Sequence, residues 1–172
     1  MAGKKRWVKV VAVLGVLVAA YAVVVVLSLK EEASVTNSVI IDRPPEVVFD
    51  YGIDMRHELE WNPDVVTMKK VTDGPVGLGT RYAAEWKQSG AVEVTVTAAD
   101  RPRSFTFTNG GDISATVAIT IAPQGSGSLL TSKFTARPHG FMIVMFPIFK
   151  LMMAKFEKAN MRYLKKAIET HT

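Results

Sequence analysis

From residue 65 to residue 135, apolar and polar side chains alternate strand after strand, and glycine, proline or asparagine clusters interrupt the pattern at short intervals. Tyr82, Ala84 and Trp86 oppose Arg81, Glu85 and Lys87. Val92, Val94, Val96 and Ala98 oppose Glu93, Thr95 and Thr97. After Phe105 and Phe107, a third set (Ile113, Ala115, Val117, Ile119, Ile121) opposes Ser114, Thr116 and Thr120, and a fourth places Leu130, Ser132 and Phe134 opposite Thr131, Lys133 and Thr135. Successive side chains of a strand point to opposite faces, so this alternation predicts an antiparallel sheet with one covered face. Turns are expected at residues 72–79, at Ser89-Gly90, at 100–103, at Asn109-Gly110-Gly111 and at 125–128.

Upstream of this meander, residues 35–42 read as a first strand. Arg43-Pro44-Pro45-Glu46 then starts a short helix, with proline in the turn where no N–H is needed and a carboxylate at the positive end of the dipole. Gly52 ends that helix. Asp54 caps a second short one running to Trp61, which Asn62-Pro63 stops. Downstream, residues 141–169 form one long helical pattern. On a helical wheel Phe149, Met152, Met153, Phe156, Asn160, Tyr163 and Ala167 share a side, opposite Lys158, Arg162, Lys165 and Glu169. A stripe this wide needs a wall, and the sheet supplies one. The order is strand, two short helices, six strands, long helix. It predicts an α+β helix-grip fold: a curved seven-stranded antiparallel sheet around the C-terminal helix.

The N-terminal part is of another kind. Residues 10–29 contain no charge, and valine supplies nine of those twenty positions. As a helix this run is about 30 Å long, the thickness of a bilayer's hydrocarbon core. A cleaved signal peptide is the competing reading, with Ala20-Tyr21-Ala22 as its processing site, but such signals carry shorter apolar regions. The division expected is a basic flank at 1–6, a transmembrane anchor at 7–29, a linker at 30–34 and a folded domain at 35–172. Lys4, Lys5, Arg6 and Lys9 precede the run and Glu31 and Glu32 follow it. That asymmetry predicts a single-pass protein of the cell membrane with a cytoplasmic N-terminus and an extracytoplasmic domain.

The net charge of +5 does not point to nucleic acid. Four of the 21 basic residues precede the apolar run, and the remaining 17 balance 16 acidic ones, without a basic stripe interleaved with aromatics. There is no cysteine, so disulfides, thiolate metal sites and thiol catalysis are out.

The chain resembles the START-like (SRPBCC) superfamily in its polyketide cyclase/dehydrase-like branch, over about residues 35–168. The residues that carry the resemblance are Arg43-Pro44-Pro45-Glu46-Val47-Val48-Phe49, then Asp54, Arg56, Trp61 and Pro63, and Gly77, Gly79, Thr80 and Arg81 leading into the third strand. The resemblance implies a cavity between sheet and long helix that takes lipids, sterols, polyketides or other apolar molecules. A minority of such proteins catalyse reactions on them. A membrane anchor is not part of the usual pattern.

Chemistry-bearing residues are few. His57, His139 and His171 have no metal-ligand spacing, and no nucleophile turn, phosphate loop or dinucleotide fingerprint is present, so neither metal nor cofactor is expected. Glu58 and Glu60, beside Trp61 at the capped end of the cavity, are expected to be a solvated pair on a short surface helix; the alternative is that they act as catalytic groups. Asp54 and Arg56 are expected to pair or cap locally. Asn160 lies in the apolar stripe and needs partners, from ligand, backbone or water. Tyr163 has the same need. The expected lining is Tyr82, Trp86, Val94, Phe107, Val117, Met152, Phe156, Asn160 and Tyr163.

Binding of a hydrophobic molecule or lipid by a membrane-tethered module is therefore the first functional expectation. A metal-free cyclase or dehydratase in the same cavity is the second. An interaction protein whose interior is filled by its own side chains is the third. The uncharged stretch 141–149 is too short to span a bilayer; it faces either lipid or the core.

Overall fold

A computed structural model describes residues 2–28, 32–87 and 90–171. In chain order the elements are α1 (Ala2–Ser28), β1 (Ala33–Ile41), α2 (Pro45–Ile53), a 3-10 turn (Met55–His57), α3 (Glu58–Trp61), β2 (Val65–Lys70), β3 (Arg81–Trp86), β4 (Gly90–Asp100), β5 (Ser104–Asn109), β6 (Ile113–Gln124), β7 (Gly127–Pro138) and α4 (Met142–Thr170). The seven strands form one antiparallel sheet in the order β1-β7-β6-β5-β4-β3-β2. With two short helices after β1 and a long helix at the end, this is the helix-grip architecture, preceded by one apolar helix. Ala33 and Ser34, expected in the linker, already pair with β7. The turn expected at Ser89-Gly90 falls partly outside the described residues.

β2 to β7 follow one another as hairpins, and β1 closes the sheet by pairing with β7, so each strand but the two edges is satisfied on both sides. The β1–β7 pair is tight where it begins. A side chain at Gly127 would drive its Cβ into the Ile41 carbonyl oxygen, so only glycine fits there. Asn109 closes the β5–β6 turn by accepting the Ala115 N–H at 2.8 Å. Asp54 caps the 3-10 turn, accepting the Arg56 N–H at 3.1 Å, and pairs with the Arg56 guanidinium at 2.5 Å. Both local roles expected of these two residues are seen.

α4 is fastened at its far end to the end of β1. Glu169 accepts the Asp42 N–H at 2.8 Å, and Lys165 donates to the Ile40 carbonyl at 2.8 Å. The Arg43 guanidinium donates to the Glu169 carbonyl. Two side chains expected on the solvent side of the helix thus bind it to the sheet.

The buried face of α4 differs from the wheel reading. Met153 is buried and Phe149 and Ala167 pack on the core as expected, but Phe146, Met161 and Ile168 are buried as well, whereas Met152, Phe156 and Tyr163 are 47%, 43% and 44% exposed. The helix is turned by about 100°, one residue, from the expected orientation. The cause is that α4 carries two apolar stripes, Phe146–Met153–Met161–Leu164–Ile168 inward and Met145–Met152–Phe156–Tyr163 outward. A wheel that counts only apolarity averages them.

The core has two parts. The larger unites α2, the sheet and the last turns of α4, including Ile41, Val48, Phe49, Tyr82, Phe105, Leu130, Met161 and Ile168. The smaller comprises Ala33, Ala136, Phe146 and Met153, with Val35, Ile113, Phe134 and Phe149 packed against it.

Candidate functional site

The two parts of the core meet beneath the middle of α4, between Met153 in one and Met161 in the other. The residue between them on that face, four from each, is Glu157. On the sheet, the neighbouring row Val96–Phe107–Val117–Phe134–Val35 crosses β4, β5, β6, β7 and β1 in register. Its first two members are buried, and Val117, Phe134 and Val35 are only half-buried. Although Val117 and Phe134 are paired directly across two strands, Val117 packs with the larger cluster and Phe134 with the smaller. The boundary between the two clusters, the seam, leaves Val117, Phe134 and Val35 half-buried on the sheet side and has Glu157 on the helix side.

Glu58 is the second acid of this seam. It starts α3, is closely surrounded by protein atoms while keeping some accessible surface, and its charge acts on Glu157. Asn62, one turn on, donates to it at 2.7 Å and is itself oriented by the Asp64 N–H at 3.0 Å. The Trp86 indole provides a further hydrogen bond. Burial outweighs these donors and pushes the Glu58 carboxyl up to about 6. Glu157 is pushed up to about 7, first by burial and then by the charge of Glu58. Carboxyls raised in this way are of the kind that general acid–base work or recognition of a hydrogen-bonding ligand end uses.

β3 positions this corner. Tyr82, Ala84 and Trp86 share its inner face, as alternation requires. The Tyr82 hydroxyl donates to Asp54 at 3.5 Å, and burial followed by the Asp54 charge pushes it up to about 12. Tyr82 is wholly buried, so it braces the 3-10 turn against the sheet.

The expected site residues separate into three groups. Glu58, Trp86 and Val117 lie around the seam. Tyr82, Val94 and Phe107 lie in the packed core beside it. Met152, Phe156 and Tyr163 are on the outward stripe of α4 and do not face the sheet. Asn160 is half-buried, and no buried polar side-chain atom among the described residues lacks a partner. Glu58 is not the solvated surface acid expected of it, because it is enclosed beside Asn62 and Trp86, whereas Glu60 is exposed as expected. Two residues apart on a helical turn, their side chains diverge. Glu60 accepts the Tyr51 hydroxyl at 2.9 Å within a cluster where Tyr51 stacks on His57 at 4.2 Å and meets His171 edge-on at 4.9 Å. Glu157 was not among the expected residues. Its signal was nevertheless present: one carboxylate in a row of methionines at helical spacing.

Two open surface depressions lie elsewhere. One of about 520 Å³ is lined by Val92, Thr95, Asn109 and Gly111 among others, and one of about 280 Å³ by Glu60, Ala167, Thr170 and His171. Among the described residues no group of three or more histidine, cysteine or acidic side chains could hold a metal ion.

A family profile described as "Polyketide cyclase / dehydrase and lipid transport" matches residues 32–169. Solved structures share the fold at low identity. The di-domain ARO/CYC BexL from the BE-7585A biosynthetic pathway is 14% identical with a TM-score of 0.65, over 84% of this chain and 52% of its own. TTHA0849 from Thermus thermophilus is 17% identical with a TM-score of 0.63, over 78% of this chain and 96% of its own. SA2116 from Staphylococcus aureus, a protein of unknown function, is 12% identical with a TM-score of 0.63, over 81% and 95%. No curated protein matches the sequence.

Proposed function

We propose, for a chain that belongs to the polyketide cyclase/dehydrase and lipid transport family, a membrane-tethered protein that holds an apolar small molecule or lipid in the seam between sheet and α4. The observation that carries this reading is the division of the core. Val117, Phe134 and Val35 are apolar, face inward and are incompletely covered by the protein's own side chains. An apolar ligand would complete their burial, at roughly 25 cal/mol per Å² covered. The tether is α1: Arg6–Leu27 is long and apolar enough to cross a membrane, and none of it is buried inside the protein. With the basic cluster before it, the folded domain lies outside the cytoplasm.

The test is native mass spectrometry of the full chain freed from detergent micelles. A bound apolar molecule should persist after the detergent is stripped, and Val117→Trp, which fills the seam, should abolish it. No adduct on the native chain, or the same adduct on both, removes the reading.

The raised carboxyls favour one alternative, a metal-free cyclase or dehydratase in which Glu58 passes a proton to or from the bound molecule. Once the ligand is identified, Glu58→Gln should bind it and leave it unaltered where the native chain converts it. Equal conversion by both removes Glu58 from that role.

A further inference from the structure

The outward stripe of α4 is a second apolar surface that the seam does not use. In its first half Phe141 is 77% and Leu151 84% exposed, and Met145, Ile148 and Met152 are exposed beside them. Such a cluster is uncommon on a surface that faces only water.

α1 fixes where this surface lies. The Tyr21 hydroxyl donates to the Val144 carbonyl at 2.5 Å, so the start of α4 packs on the C-terminal part of α1. Tyr21 stands six residues before Leu27, the last residue of the span Arg6–Leu27, which is about 9 Å along a helix axis. If α1 spans the bilayer, the first turns of α4 sit among the acyl chains of one leaflet, not above the headgroups. The absence of charge from residues 141–149 suits that depth. Lys155, Lys158 and Arg162, all exposed, follow further along the helix and suit lipid phosphates.

We propose that the first half of α4 is an interfacial helix, laid through Phe141, Met145, Ile148, Leu151 and Met152 into the same bilayer that α1 crosses. The inference rests on the tether reading above and extends it. The smaller core cluster and the seam beside it then open next to lipid, so an apolar ligand passes between bilayer and protein without crossing water.

The absence of cysteine makes the test direct. Single variants Ile148→Cys, Leu151→Cys, Val16→Cys and Leu78→Cys of the full chain carry an environment-sensitive fluorophore in phosphatidylcholine–phosphatidylglycerol vesicles. Leu78, 71% exposed in the β2–β3 loop, is the water-facing reference. Lipid-borne nitroxide should quench the labels at 148 and 151 about threefold more than the label at 78, and aqueous iodide should do the reverse. Labels at 148 and 151 that behave like the one at 78, while Val16 is quenched by lipid, overturn the interfacial helix and leave the tether standing. A label at 16 that also behaves like the one at 78 overturns both.

Discussion

Replacing Glu157 with glutamine should stabilise the protein at alkaline pH and leave it nearly unchanged in mild acid. The carboxyl of Glu157 is pushed from its ordinary value of 4.5 to about 7. A raised carboxyl pKa means that the folded state holds the proton more tightly than the unfolded one. Between about 4.5 and 7 the folded protein therefore binds more protons, and its stability falls as pH rises. At about 1.4 kcal/mol per unit the penalty at pH 8 is about 3 kcal/mol, and the accessible surface that Glu157 retains lowers it to about 2–3. Glu58, raised to about 6, adds to the same trend, with the mutual repulsion counted once. Carboxylates held low by arginine, Asp50 and Asp54 among them, act with the opposite sign. Their contribution is present above the ordinary carboxylate range and is lost only in stronger acid, outside this window. The assay is urea unfolding of the full chain in mild detergent, followed by tryptophan fluorescence, at pH 4.5 and at pH 8. Subtracting the native curve from that of Glu157→Gln cancels the histidines. The expected difference is about 2–3 kcal/mol at pH 8 and below about 0.5 at pH 4.5, with Glu157→Met giving at least as much because it continues the methionine row. A difference that is absent, or equal at the two pH values, refutes the placement of Glu157 inside the seam.

The rotation of α4 makes its own prediction. Ile168→Ala, which empties a wholly buried site, should cost about 2–4 kcal/mol, while Tyr163→Ala on the outward stripe should cost less than about 1, by the same unfolding measurement. The reverse order would restore the orientation read from the wheel. Gly127→Ala should cost about 2 kcal/mol or more, since its Cβ runs into the Ile41 main chain and the β1–β7 pair must part. Unchanged stability would show that the two strands are not so close.

The strands were legible because their signal is local. A period of two survives in each segment whatever packs on it, and glycine or asparagine marks each turn. The long helix was legible in extent but not in rotation, since both stripes are apolar and only tertiary packing tells which one is covered. Lys165 and Glu169 show the same ambiguity. They are charged and so read as solvent-facing, yet their partners are main-chain groups more than a hundred residues away. Glu58 and Glu60 were found as a pair, but what separates them is the turn at Asn62 and the arrival of Trp86 on β3, neither of which α3 itself encodes. Glu157 was legible in principle and missed because charge on a mostly basic helix reads as surface.

The division of the core also sets how the molecule breathes. Toward the sheet, the first half of α4 is held only by a handful of side chains around Phe146 and Met153, its start resting on α1, and Pro147 leaves one carbonyl of that half without its helical N–H. The last turns are held by the larger cluster and by the fastening at Glu169. In mild detergent, away from the bilayer, amide hydrogen exchange along α4 should thus be graded, faster before Met153 than from Met161 to Ile168. The front of the helix can lift while the sheet and the back of the helix stay folded. A molecule could then be taken up or released through a partial opening far smaller in free energy than unfolding.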